Sequence, residues 1–105
     1  MANYLLVYKG GGGMAQDAAA QQQIMEQWGR WFGSLGERVV DGGNPFGPSA
    51  SIASDGSVSS GGGAGLTGYS IIKGDSLDAA TEAAKGCPVL ASGGTVEVYE
   101  TFAAM

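Results

Sequence analysis

Histidine is absent from the sequence and cysteine occurs once, at Cys87. Ligand count therefore rules out a structural zinc site, no disulfide can close within the chain, and no metal is expected. Charge is scarce as well: Asp, Glu, Lys and Arg make up 14% of the residues, against about 25% in ordinary globular proteins, which excludes a charge-driven disordered tail. Only Lys9, Arg30, Arg38, Lys73 and Lys85 are basic, and they are scattered. No patch can follow a phosphate backbone, so nucleic acid is not an expected partner. A net charge of −5 gives no attraction to an anionic lipid surface either. No window approaches the ~20 apolar residues of a membrane span, and the start of the chain has neither a basic leader nor a long apolar stretch. A cytoplasmic location is the expectation.

What the sequence has in excess is glycine, 20 of 105 residues, without the every-third-residue period of collagen and beside 44% hydrophobic residues. This describes a loop-rich globular chain. Its length suffices for one modest core and not for two, so residues 1–105 are expected to form a single domain.

Tyr4 to Tyr8 is apolar on both faces and reads as a buried strand ended by the run Gly10 to Gly13. From Asp17 to Leu35 the spacing of Ile24, Trp28, Trp31 and Leu35 predicts an amphipathic helix, with Gly36 in place for a left-handed C-cap. Gly29 and Gly33 inside it each weaken a helix by about 1 kcal/mol relative to alanine, which predicts a sheet or partner chain packed close to that face. Arg38 to Asp41 starts a second strand, and Asn44-Pro45-Phe46-Gly47 fits a type I turn. Asp55-Gly56 predicts a hairpin whose two-residue turn would set Ala53 opposite Val58, followed by a glycine-rich tip from Ser59 to Gly65. Thr67 to Lys73 returns as a strand. Asp75-Ser76-Leu77-Asp78 caps a helix from Ala79 to Lys85, stopped by Gly86 and Pro88, and Thr95 to Phe102 is a last strand.

The order is then β-α-β-β-α-β, a ferredoxin-like α+β fold: an antiparallel sheet with two helices on one face. Because the strands are apolar on both faces, the uncovered face calls for a homodimer that closes sheet on sheet.

At this point the chain resembles the YCII-related family, in particular its branch with an Asp-Gly-Pro-Phe signature, within the dimeric α+β barrel superfamily. The likeness rests on Asn3-Tyr4-Leu5-Leu6-Val7-Tyr8, on Val39-Val40-Asp41-Gly42-Gly43, on Gly68-Tyr69-Ser70-Ile71-Ile72-Lys73 with Asp75-Ser76-Leu77-Asp78-Ala79-Ala80, and on Gly93-Gly94-Thr95-Val96-Glu97-Val98-Tyr99. It implies a homodimer with a cleft between sheet and helices in each subunit, and no established reaction. The signature itself is missing, its place taken by Ser59-Ser60-Gly61-Gly62. Nor can the acid–base pair of the better-known relatives be carried over. No histidine stands near Met25, and Gly86-Cys87-Pro88 has cysteine where the acid would be.

Gly63-Ala64-Gly65-Leu66-Thr67-Gly68 matches a dinucleotide fingerprint as a string, but a strand follows where the motif needs a helix, so no nucleotide or other cofactor is expected. The glycine runs are expected to be loops, with lids over the cleft as the alternative. Cys87, past a helix C-terminus and without a histidine, is poorly placed as a nucleophile. Asp41 shares a strand face with Val39, so it either turns inward with it or sits at the strand end accepting turn N–H bonds. Trp28 and Trp31 belong to the apolar stripe, with core packing the main expectation and a ligand stack the alternative. Tyr8, Trp28, Asp41 and Tyr69 are the candidate ligand-binding residues, an aromatic-walled site for a small, flat, apolar molecule. Two functions stay open: small-molecule binding in the cleft of a homodimer, catalytic or not, and a non-catalytic interaction or regulatory module with a degenerate site.

Overall fold

Tyr4, Leu6 and Tyr8 alternate with Leu5 and Val7 along the first strand, and the two sets meet different surroundings. In the computed structural model, which describes residues 2–10, 18–61 and 65–103, Leu6 is fully buried and Tyr4 and Tyr8 nearly so, while Leu5 is half-buried. The elements are β1 (Ala2–Lys9), α1 (Ala18–Leu35), a 3-10 turn (Gly36–Arg38), β2 (Val39–Asp41), β3 (Ala50–Ile52), β4 (Val58–Ser60), β5 (Leu66–Gly74), α2 (Leu77–Ala84), α3 (Pro88–Ala91) and β6 (Thr95–Glu100). None of the helices among the described residues is long and apolar enough to cross a membrane.

The chain is an α+β structure built on a four-stranded antiparallel sheet in the order β2-β5-β1-β6, with β3 and β4 forming a separate two-stranded sheet. Register fixes the faces: Tyr4, Leu6 and Tyr8 lie opposite Ile72, Ser70 and Gly68 on one side and Glu100, Val98 and Val96 on the other. That face packs on Trp31 and Leu35 of α1, Ala80 and Ala84 of α2, and Val89 of α3. Burying Leu6 and Ile72 completely stabilises the fold by about 1.5–3 kcal/mol each. The opposite face carries Leu5, Val7, Tyr69, Ile71 and Tyr99; among the described residues the helices of the core cluster pack on the other side, and of these five Val7 is buried and Tyr99 exposed.

Several local expectations hold and others are corrected. Gly36 adopts φ +57°, as its place after α1 requires, and the capping segment before α2 is in place with Ser76, not Asp75, as the cap, accepting the Ala79 N–H at 3.1 Å so that the helix starts at Leu77. The residue pair Gly29 and Gly33 has no close neighbour: a Cβ at either would meet nothing within 4 Å. Asn44-Pro45-Phe46 is not a folded turn. Pro45 bridges Gly68 and the Phe46 N–H reaches the Thr67 carbonyl at 2.9 Å, so the segment extends the β2 edge along β5. The hairpin turn has three residues rather than two, which sets Ile52 opposite Val58 and Ala53 opposite Ser57. Its Asp55 carboxylate accepts the N–H and O–H of Ser57. A third helix, α3, begins at Pro88, where the proline that ends one helix starts another. Asp17, residues 11–13 of the first glycine run and residues 62–64 of the second lie outside the described residues.

Candidate functional site

The apolar stripe of α1 divides along its length. Trp31 and Leu35 are buried against the sheet and α2, whereas Ile24 and Trp28 are only half-buried and Met25 is 72% exposed. Beside that less covered half lies a cleft of about 610 Å³, within the roughly 300–1,000 Å³ usual for small-molecule sites. Met25, Trp28, Gly29 and Phe32 of α1 form one wall, positions that share a helix face. Tyr8, Gly68 and Ser70 of the sheet form the floor, Gly42 to Pro45 the rim, and Val89 of α3 one end.

The rings lining the cleft brace one another. Tyr8 meets Trp28 edge to face at 5.1 Å between centroids, and Trp28 leans on Phe32 at 5.8 Å. Trp31 joins the same cluster, 5.7 Å from Trp28, but it faces the core and donates its indole N–H to the Ala83 carbonyl at 3.0 Å. The polar groups at the floor form a closed chain. Ser70 Oγ donates to the Gly42 carbonyl at 2.7 Å; a carbonyl only accepts, so the serine's single proton is committed there. The 2.7 Å bond between Tyr8 and Ser70 is therefore donated by the Tyr8 hydroxyl. Burial pushes the Tyr8 phenol above the ordinary tyrosine range, with the Ser70 bond opposing, and keeps it a neutral donor.

Of the four residues singled out in the sequence, three border the cleft. Tyr8 and Trp28 present their rings to it. Tyr69 borders it along the main chain: in register with Val7 it sends its ring to the other face of the sheet, where it stacks on Phe46 at 5.9 Å. Asp41 does not line the cleft, a correction with a plain cause. The pairing of β2 with β5 slips between Val39 and Asp41, so the alternation that would have placed the two on one face is broken. Asp41 is exposed, and its carboxylate turns back to accept the Gly43 N–H at 2.8 Å. The backbone it organises, Gly42 and Gly43, takes its place at the rim. Phe32 and Met25 were missed because they sit beside the strongest stripe positions; the helical spacing of Met25, Trp28, Gly29 and Phe32 was the available signal.

Cys87 is buried next to the Tyr8 hydroxyl, and desolvation pushes its thiol up to about 11, against a smaller lowering by hydrogen bonding. Because the folded thiol lies above the unfolded one, its contribution to stability is complete below the unfolded pKa and is lost as pH rises toward about 11. Native protein at mildly alkaline pH is expected to react with a dithionitrobenzoate reagent at least about a hundredfold more slowly than protein unfolded in guanidinium, followed by thionitrobenzoate absorbance. Among the described residues no group of three metal-ligating side chains converges. The fingerprint string around Gly65 continues into β5, not into a helix. Comparison with protein-family models, curated proteins and solved structures returned no match for the chain.

Proposed function

We propose that the chain is a YCII-related, ferredoxin-like unit that pairs into a dimeric α+β barrel in the cytoplasm, and that each subunit binds a small apolar molecule, aromatic rings included, between sheet and helices. The ligand reading rests on one observation: Tyr8, Trp28 and Phe32 reach the walls of the cleft, brace one another and still leave it unfilled. Setting the β3–β4 hairpin aside, the sheet runs second, third, first, fourth strand, the arrangement a split β-α-β unit requires. Support for pairing comes from the uncovered sheet face. Phe46 at 47% and Tyr99 at 49% exposure stand there beside the half-buried Leu5 and Ile71. Neither a nucleophile with its base nor a carboxylate pair lines the cleft among the described residues, so binding is the activity proposed and no reaction is assigned.

Native mass spectrometry of gently purified protein tests both parts. A dimer carrying a reproducible added mass is the expected result; a monomer would overturn the pairing, and a dimer without added mass would favour the second reading. That reading, a dimeric interaction module without a small ligand, is favoured by the hairpin, which holds Ile52 at 73% and Val58 at 68% exposure as a facing apolar pair.

A further inference from the structure

Among the described residues no charged side chain lines the cleft. Its described lining is aromatic rings, Met25, Val89, Pro45, glycines and a few neutral polar groups, without Lys, Arg, Asp or Glu. The polar groups at its floor already satisfy each other through the Tyr8–Ser70–Gly42 chain, and among the described residues no buried side-chain polar atom lacks a partner. An ion moved from water into such a place loses its hydration with nothing to replace it, whereas a neutral ring loses little and gains the faces of Trp28 and Phe32.

Gly29 sets the room available. It lies on the cleft wall inside an 18-residue helix, where glycine is the poorest common choice after proline, and a Cβ there would touch nothing within 4 Å. Neither a close backbone approach nor a positive φ calls for glycine at this position. What the missing side chain leaves is space between Met25, Trp28 and Phe32.

We infer that the cleft selects uncharged, flat aromatic molecules over their anionic analogues, and that Gly29 is the specificity-determining residue that keeps the space for them. This rests on the proposed binding function and narrows its ligand class. Two probes share one anilinonaphthalene skeleton and differ by a sulfonate: neutral N-phenyl-1-naphthylamine and anionic 8-anilinonaphthalene-1-sulfonate. Both brighten on leaving water, and energy transfer from tryptophan reports binding near Trp28.

Titration of the full chain is expected to give the neutral probe at least about tenfold the affinity of the sulfonate. Gly29→Leu is expected to lower the neutral probe's affinity by about tenfold or more while raising Tm, because leucine fills the space and is the better helix former. Gly29→Ala raises Tm and keeps most of the binding. Equal affinities for the two probes, both lost in Gly29→Leu, would overturn the charge selection and leave the cleft intact as a site. Neutral-probe binding unchanged in a folded Gly29→Leu protein would overturn the role of Gly29. Binding of neither probe to the wild type would overturn the binding function itself. Should Gly29→Leu fail to fold, the wild-type affinity ratio decides the charge selection and Gly29→Met, also a good helix former that fills the same space, takes its place: unchanged neutral-probe affinity in that variant contradicts the role given to Gly29.

Discussion

Gly43→Ala is expected to lower Tm by more than about 10 °C, corresponding to roughly 3 kcal/mol or more in a domain of this size. Gly43 has φ +74°, a region L side chains rarely adopt, and a Cβ built there would sit inside the Tyr69 carbonyl and 3.2 Å from Ser70 Cα. Those obstacles are backbone atoms of β5 and cannot swing aside as a side-chain tip could. The left-handed conformation alone costs about 1–2 kcal/mol, and relief of the overlap requires the β2 end to leave β5. That separation would break the bond from Ser70 to the Gly42 carbonyl and open the rim of the cleft. Gly42→Ala is the matched control: its Cβ would meet only the Phe32 ring tip, at 3.9 Å, and φ there is ordinary. A melt followed by circular dichroism should separate the two variants; equal Tm values would show that β2 is not held to β5 at Gly43.

Trp31→Ala is expected to cost about 3–5 kcal/mol and to leave little cooperative folding. Trp31 is 6% exposed and joins α1 to α2 through the Ala83 carbonyl, and its ring fits against Gly86, where an added Cβ would lie 3.0 Å from Trp31 Cδ1. Truncation removes that apolar surface, empties the junction and deletes the hydrogen bond together. Trp31→Phe should recover most of the packing and lose only the N–H, about 1–2 kcal/mol. Trp28→Ala provides the contrast. Its side chain is half-buried on the cleft wall, so a smaller loss, below about 2 kcal/mol, is expected with the far-ultraviolet spectrum intact. Urea unfolding of the three variants checks the ranking, and an equal loss for Trp28→Ala and Trp31→Ala would mean that the cleft wall is part of the core.

The contrast between these tryptophans marks how far the sequence carries. A four-three-four spacing places Ile24, Trp28, Trp31 and Leu35 on one face, and that is what α1 presents. Spacing cannot say where along the face the sheet stops, because that depends on strands far away in the chain. The same holds for Asp41: alternation from Val39 holds only while the β2–β5 pairing keeps its register, and that pairing slips before Asp41. Tyr69 followed its alternation and so turned its ring away from Tyr8. The helix at Pro88 has four residues, too few to show a period. Local signals with a mechanism of their own, the capping segment before α2 to within one residue and the alternation of β1, needed no distant information.

The Pro45 bridge bears on how these molecules can meet. β2 and its extension form one open border of the sheet, and Phe46 spends its N–H inward on Thr67. Alternation then directs the Pro45 nitrogen outward, where a neighbouring strand would need a donor and proline has none. The other border, β6, carries Glu97 and Glu100 within its six residues. Both borders of the four-stranded sheet thus carry features that disfavour addition of a further strand.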